Sequence, residues 1–174
     1  MEIKKIENKV WLPVRTKPKS EKKLEEYCKA YNVKTYLPLL KKVTRYSRST
    51  NTTFKPMFPG YIFCCLDIDG TDYRNIVRSN KILFKIDITE GEEVELIEQL
   101  NSLQIISKIS KKAKIIVKPE LQIGTKVLIT KGPFQGIEGI IDKRKGESTV
   151  AVNLELLGQT VITEVDIEDT EKDD

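Results

Sequence analysis

The pattern of apolar and polar positions near the start of the chain predicts a strand, a helix and a second strand. Residues 10–16 and 33–40 are largely apolar runs of strand length. Between them, residues 20–31 predict an amphipathic helix capped by Ser20, because apolar side chains recur at spacings of three and four: Leu24, Tyr27, Cys28 and Tyr31. Pro13 lies within the first run and indicates an edge, a strand end or a bulge, since proline has no ladder donor.

The next fifty residues predict a long hairpin and two more strands. Residues 41–56 alternate loosely around the polar segment 47–52, which indicates two strands joined by an exposed tip. Residues 57–66 are densely apolar and predict a central strand. Residues 82–88 alternate and predict another strand.

Two further helices complete this half of the chain. Tyr73, Ile76 and Val77 mark a short one. Thr89 and Glu92 stand in capping-box spacing ahead of a longer one, whose inward positions are Leu96, Ile97, Leu100 and Leu103. The order β-α-β-β-β-α-β-α therefore predicts an α/β sandwich, in which helices pack on a mostly antiparallel sheet.

The last third of the chain predicts a linker and a small all-β region. Residues 108–121 contain five Lys and one Pro and predict a basic, mobile linker, although helical Ile spacings leave an extension of the third helix open. Beyond it, a short alternating run ends at segment 131–139 (KGPFQGIEG), where Pro and Gly favour a tight turn. A Lys-Arg-Lys-Gly turn at 143–146 and an apolar run at 149–152 follow, which predicts further short strands.

Charge is unevenly distributed behind a modest net value of +4. Residues 1–66 carry 15 Lys/Arg against 5 Asp/Glu, and residues 122–174 carry 6 against 11. Such asymmetry favours one surface that faces nucleic acid. Solvated Lys-rich helices are the simpler explanation when charge is considered alone.

The side-chain chemistry argues against an enzyme. The chain has no histidine, which removes the commonest general base and metal ligand. Cys28, Cys64 and Cys65 include no Cys-x-x-Cys pair and are interpreted as small buried hydrophobic residues. We therefore expect no catalytic residues, no cofactor and no metal site. No apolar run reaches membrane-spanning length, and the start of the chain lacks the apolar core of a signal peptide. We therefore expect a cytoplasmic globular protein without membrane contact.

Two motifs in a fixed order resemble a known family. Segment 55–63 (KPMFPGYIF), preceded by segment 11–18 (WLPVRTKP), is similar to the N-terminal domain of the NusG/RfaH transcription elongation and antitermination family. Segment 131–139 resembles its KOW module, a small β-barrel. The Leu-Leu-Gly-Gln form at 156–159 is similar to specialised UpxY- or LoaP-like paralogues as well as to housekeeping members. The resemblance implies a NusG-like domain over 8–107, the linker 108–121 and a KOW barrel over 122–170.

The resemblance further implies a factor that binds RNA polymerase and suppresses pausing or termination. The contact would be made with the clamp helices of the largest polymerase subunit, through an open apolar groove lined by Trp11, Phe54, Phe58, Tyr61 and Phe84. Burial of both faces of the aromatic strand in the core is the competing interpretation. An RNA-binding or ribosome-associated KOW protein that acts without polymerase is the alternative function.

Two further contacts are expected of a monomeric factor. The hairpin would bind non-template DNA or nascent RNA through cationic side chains and one aromatic ring that can stack on a base. The residues expected to make this contact are Lys41, Lys42, Arg45, Tyr46, Arg48 and Lys55. A hairpin that is merely solvated is nearly as well supported by the sequence alone. The KOW module would recruit a small-ribosomal-subunit protein or a termination factor. The side chains expected to make this contact lie near its turns and are Lys131, Phe134, Ile137, Lys143 and Arg144. For Phe134 and Ile137, burial inside the barrel is an equally good interpretation.

Overall fold

The computed structural model describes residues 2–46, 49–67, 70–109, 116–119, 125–132, 134–144, 147–164 and 170–172. The chain divides into an N-terminal unit, Met1–Ile97, and a C-terminal unit, Glu98–Asp174. Each unit is described by itself below. In the part of the chain that the structure describes, no helix has the length and apolar character needed to cross a bilayer.

A four-stranded antiparallel sheet forms the centre of the N-terminal unit. Its strands are β1 (Val10–Thr16), β2 (Lys34–Tyr36), β5 (Tyr61–Leu66) and β6 (Ile82–Lys85), in the order β2-β5-β1-β6. The strand predicted over 57–66 is central, as expected, but begins only at Tyr61 because residues 57–60 form a turn. Residues 33–40 were predicted as one strand, but they divide between two: β2 ends at Tyr36, and the first strand of the hairpin begins at Leu39.

Pro13 occupies an interior strand of this sheet, where a proline normally weakens the ladder. Its carbonyl accepts a hydrogen bond from the Ile86 amide at 2.9 Å. The nitrogen and the carbonyl of one residue point to the same side of a strand, so the missing donor of Pro13 faces β6, which ends at Lys85. The proline therefore lies where that ladder ends and a donor is not needed.

The helices are α1 (Glu21–Ala30), α2 (Thr71–Arg78) and α3 (Glu90–Ile109). Ser20 precedes α1 as predicted, yet its side chain makes no capping hydrogen bond. The capping box ahead of α3 is confirmed: the Thr89 amide donates to Glu92 Oε2 at 2.6 Å, and the Glu92 amide donates to Thr89 Oγ1 at 3.3 Å. Its acceptor role holds the pKa of the Glu92 carboxyl below its usual value.

One face of the sheet packs against helices α1 and α2. The buried cluster there takes Leu12 and Val14 from β1, Ile62, Cys64 and Leu66 from β5, Leu24 and Cys28 from α1, and Ile76 from α2. Leu24 and Cys28 are buried, whereas Tyr31 is exposed and stacks on Tyr27 with ring centroids 4.7 Å apart. All three cysteines are buried and unpaired, and burial raises the pKa of Cys65 to about 11.

The predicted hairpin is confirmed as a separate two-stranded sheet of β3 (Leu39–Tyr46) and β4 (Ser49–Pro56). Leu39 pairs with Pro56 at its base, and Tyr46 pairs with Ser49 near its tip. The base is closed by a hydrogen bond from the Met57 amide to the Pro38 carbonyl at 2.8 Å. Residues 47 and 48 lie outside the described residues.

The C-terminal unit contains a six-stranded antiparallel sheet. Its strands are β7 (Ile116–Pro119), β8 (Thr125–Ile129), β9 (Glu138–Arg144), β10 (Glu147–Leu154), β11 (Gln159–Glu164) and β12 (Thr170–Lys172). Their order is β12-β8-β9-β10-β11-β7, and a 3₁₀ turn at Glu155–Leu157 joins β10 to β11. Four consecutive residues of β11, residues 160–163, are buried, so both of its faces are covered.

The segment predicted as a linker over 108–121 is partly ordered as secondary structure. Helix α3 continues to Ile109, and β7 pairs with β11 through residues such as Val117 and Val161. The mobile-tether interpretation is therefore wrong for 116–119, because β7 exchanges ladder hydrogen bonds with a buried strand. The lysines of segment 108–121 interrupt its apolar positions, so the sequence pattern did not predict this strand. Residues 110–115, 120 and 121 lie outside the described part of the chain.

Candidate partner-binding surface

Three side chains lie in a row across adjacent strands at one end of the N-terminal sheet. Arg15 of β1 pairs directly with Tyr61 of β5 on one side and with Phe84 of β6 on the other. Directly opposed residues of an antiparallel pair project from the same face. The three form a continuous row, here called the Phe84–Arg15–Tyr61 row.

The row lies on the sheet face opposite the α1 and α2 cluster, at the accessible end of the interior strands β1 and β5. At the β2 edge of this face, Lys34 pairs with Cys65 and is also exposed. Trp11, Pro13, Phe63 and Cys65 share the face with Arg15 and Tyr61 and are all buried. Phe84 is 52% exposed, and Arg15 and Tyr61 are half-buried. The interpretation that both faces of the aromatic strand are core is thus correct for most of its length and fails at the Tyr61 end.

A β-bulge explains why Phe84 belongs to the row. The pairing shifts between Arg15 and Thr16, so that Thr16 faces Ile82 while Arg15 faces Phe84, and Leu83 is the extra residue. Ile82 and Phe84 are two residues apart and would share a face in a regular strand. The bulge separates them: Ile82 packs against the buried cluster and Phe84 projects beside Arg15.

Arg15 ties the row together. Its guanidinium carbon lies 4.5 Å from the centroid of the Tyr61 ring, which is a cation–π contact. Its Nη1 also donates to the Pro59 carbonyl at 3.2 Å. The Arg15 side chain is therefore anchored on the turn before β5 while its charged group covers an aromatic ring.

The turn at the start of β5 is a tight one. The Tyr61 amide donates to the Phe58 carbonyl at 3.1 Å, and Pro59 and Gly60 are the central residues. Gly60 has φ +86, as the third position of a type II turn requires. A β-carbon on Gly60 would lie 2.6 Å from Arg15 Nη1, so any larger residue at this position would displace the Arg15 guanidinium.

The five aromatic residues predicted to line one groove do not lie on one accessible surface. Tyr61 and Phe84 lie in the row, and Phe54 is 51% exposed on the hairpin. Trp11 and Phe58 are buried at 4% and 1% exposure, which corrects their placement in an open groove. Trp11 Nε1 donates to the Lys4 carbonyl, and the Phe58 ring meets the Phe63 ring edge to face. Strand alternation fails at Phe58 because that residue belongs to the turn.

The hairpin carries exposed lysines on both sides of its ribbon. Lys41 pairs with Phe54, Lys42 pairs with Thr53, and Lys55 pairs with Leu40. Neighbouring strand residues project from opposite faces, so Lys41 and Lys42 do not form one patch. The backbones of Arg45 and Tyr46 end β3, their side chains are outside the described part of the structure, and Arg48 lies outside it entirely.

The predicted partner-binding turn of the C-terminal unit separates into buried and exposed residues. Lys131 is exposed, whereas Phe134 and Ile137 are buried at 6% and 0% exposure. The Gly136 amide donates to the Ile129 carbonyl at 2.7 Å, which closes the turn over these two side chains. Lys143 and Arg144 end β9, and their side chains lie outside the described residues. Phe134 and Ile137 are therefore core residues, the alternative that the sequence left open.

Sequence patterns alone did not single out Arg15 and Glu21. Arg15 breaks an otherwise apolar strand, and this was the only signal for it. Glu21 is an acidic residue in the first turn of a helix, a common placement. The structure shows it buried, with Oε1 accepting a hydrogen bond from the Gly60 amide at 2.6 Å. Among the described residues, no three carboxylate or thiol groups converge as a metal site would require.

Comparison with known proteins places the chain in a family. The family model described as "Transcription termination factor nusG" matches residues 9–123, which is more than half of the chain. The chain belongs to the NusG family, a family of non-enzymatic transcription factors associated with transcription elongation and its regulation. A search of curated proteins found no match.

Two solved structures are similar over most of their length. One, described as "Domain interaction in Thermotoga maritima NusG", is 18% identical with a TM-score of 0.46 and covers 95% of this chain and 98% of its own. The other, the crystal structure of the MjSpt4:Spt5 complex, is 17% identical with a TM-score of 0.25 and covers 94% of this chain and 97% of its own.

Proposed function

We propose that this chain binds RNA polymerase through the Phe84–Arg15–Tyr61 row and suppresses pausing or termination during elongation. The observation that supports this function is the row itself, an accessible group of two aromatic side chains and an arginine beside the buried residues Trp11, Pro13, Phe63 and Cys65 of the same sheet face. Tyrosine and arginine are among the side chains most enriched at interface hot spots, and phenylalanine is enriched at interfaces in general. The family resemblance implies the partner, the clamp helices of the largest polymerase subunit, which would lie helix-in-groove on this surface.

The resemblance also implies two further contacts. The hairpin supplies exposed lysines for non-template DNA or nascent RNA, and Lys22 of α1 donates to the Phe54 carbonyl at 2.7 Å beside them. The C-terminal unit is proposed to be a KOW module that recruits a small-ribosomal-subunit protein or a termination factor. Within the described residues of its turn, Lys131 is the predicted contact that is open to such a partner.

Polymerase binding is tested with purified components and matched variants. Tyr61→Ala and Phe84→Ala should each weaken the Kd for RNA polymerase by roughly ten-fold or more, as loss of a hot-spot side chain does. Val77→Ala is the control, because Val77 is 47% exposed but lies on α2, outside the row. Thermal unfolding followed by fluorescence checks that each variant is folded. Parental affinity in both aromatic variants would remove the proposed surface.

The effect on transcription is tested by elongation across an intrinsic terminator, with and without the protein. Increased read-through that Tyr61→Ala abolishes would support pausing or termination suppression. Increased termination would keep the polymerase contact but overturn the proposed direction of the effect. Salt-sensitive binding to an RNA hairpin, without any effect on the polymerase, would instead favour the RNA-binding or ribosome-associated function.

A further inference from the structure

We infer that Glu21 is a positioning residue for the Phe84–Arg15–Tyr61 row: its buried carboxylate fixes the turn that presents Tyr61 and supports Arg15. The inference rests on the proposed function, since it concerns how that surface is held in place. Glu21 is the first residue of α1 and would ordinarily be interpreted as a solvated acid beside a helix N-terminus. It is instead 6% exposed, and its Oε1 accepts a hydrogen bond from the Gly60 amide of a different element.

The turn at 58–61 is held from two sides. From β1, the Thr16 amide donates to the Gly60 carbonyl at 2.8 Å, and Arg15 Nη1 donates to the Pro59 carbonyl at 3.2 Å. From α1, Glu21 accepts from the Gly60 amide at 2.6 Å. Both polar groups of the Gly60 backbone are therefore bonded to elements that flank the turn. Glu21 supplies the acceptor for the amide, which lies on the buried side.

Removing this acceptor should change the surface rather than the whole unit. Without the carboxylate, the Gly60 amide is buried and loses its partner, which favours opening of the turn toward water. Gly60 is next to Tyr61 in the chain, and Arg15 is bonded to the same turn through Pro59. Opening of the turn therefore shifts the Tyr61 ring relative to the Arg15 guanidinium, 4.5 Å away, and disrupts the row.

The test compares three variants of the full chain. Glu21→Ala removes the acceptor, whereas Glu21→Gln keeps an oxygen that can accept from Gly60. Glu92→Ala is the matched control, because the Glu92 carboxylate also accepts a hydrogen bond from a backbone amide. That amide belongs to Thr89, at the start of α3 and outside the row. The readouts are the Kd for RNA polymerase and the hydrogen-exchange rate of the Gly60 amide, measured by nuclear magnetic resonance.

We expect Glu21→Ala to weaken polymerase binding by about ten-fold, with Glu21→Gln within about three-fold of the parent and Glu92→Ala unchanged. Exchange of the Gly60 amide should accelerate by at least about ten-fold in Glu21→Ala alone, because local opening sets that rate. Rescue by Glu21→Gln separates positioning from a general loss of stability.

The outcomes distinguish the inference from the function on which it rests. Parental binding by Glu21→Ala, together with weakened binding by Tyr61→Ala, would overturn the positioning role and leave the proposed surface intact. Equal weakening in Glu21→Ala and Glu92→Ala would also overturn it, because general stability would then explain the loss. Parental binding by both Tyr61→Ala and Phe84→Ala would instead remove the proposed surface, and the positioning role with it.

Discussion

Substitution of Gly60 by alanine tests the local geometry of the candidate surface without any partner. Gly60 has φ +86, a region in which a β-carbon costs about 1–2 kcal/mol for an L-residue. The added β-carbon would also lie 2.6 Å from Arg15 Nη1 and 2.8 Å from Arg15 Cζ, closer than non-bonded atoms approach. Arg15 must then move, which weakens its contact with Tyr61, an interaction of about 0.5–1 kcal/mol at an exposed site.

We therefore expect Gly60→Ala to lower the free energy of unfolding of the N-terminal unit by about 1.5–3 kcal/mol. The assay is urea unfolding followed by the fluorescence of Trp11, because the chain has one tryptophan and it is buried in that unit. Gly91→Ala is the control: Gly91 is in α3, and its β-carbon would meet no atom within 4 Å. Alanine in place of glycine within a helix should be neutral or stabilising by up to about 1 kcal/mol.

A double-mutant cycle separates the two contributions. In an Arg15→Ala background the crowding is absent, so Gly60→Ala should then cost only the backbone strain of about 1–2 kcal/mol. An unchanged cost in that background would refute the crowding argument. Parental stability of the Gly60→Ala single variant would refute the geometry of the turn as a whole.

The remaining predictions concern the hairpin and the core. Lys41→Ala should reduce the salt dependence of binding to single-stranded DNA, lowering the slope of log K against log salt by roughly 0.7 if that lysine contacts one phosphate. Lys29→Ala, an exposed change on α1, is the control, and equal slopes for both variants would argue against the hairpin contact. Burial raises the pKa of Cys65 from 9.0 to about 11, so the folded state binds the thiol proton more tightly than the unfolded state does. This contribution to stability is complete below pH 9 and is lost as the pH rises toward 11. In urea titrations, the difference in the free energy of unfolding between the parent and Cys65→Ala should therefore shrink between pH 9 and pH 11. A difference that stays constant over this interval would contradict the raised pKa of Cys65.

Sequence patterns among neighbouring residues predicted most of the helices and strands. The helical spacing around Leu24 and Cys28, the Thr89–Glu92 capping box and the alternation of the hairpin each depend on residues that are neighbours in sequence. Their physical causes are local, so one stretch of sequence is sufficient to reveal them. The strand β7 was obscured by the surrounding lysines, because its stability comes from pairing with β11, more than forty residues away.

Assignment of accessible residues was less successful, because exposure depends on pairing between distant segments. Trp11 and Phe58 have the residue type of an interface anchor, and nothing local shows that both are buried. Phe84 is exposed because it pairs with Arg15 beside a bulge, and the pairing register cannot be known from β6 alone. Glu21 resembles any acid in a first helical turn until the Gly60 amide is placed beside it.

The candidate surface thus depends on two irregularities that meet at the same end of the sheet. A regular ladder would put Ile82 and Phe84 on one face, so either the buried cluster would lose Ile82 or the row would lose Phe84. A strand running straight through from Met57 would leave no turn whose carbonyls could hold Arg15 over Tyr61. The bulge and the glycine turn therefore determine which aromatic residues are accessible to a partner. The number of aromatic residues in segment 55–63 does not determine this.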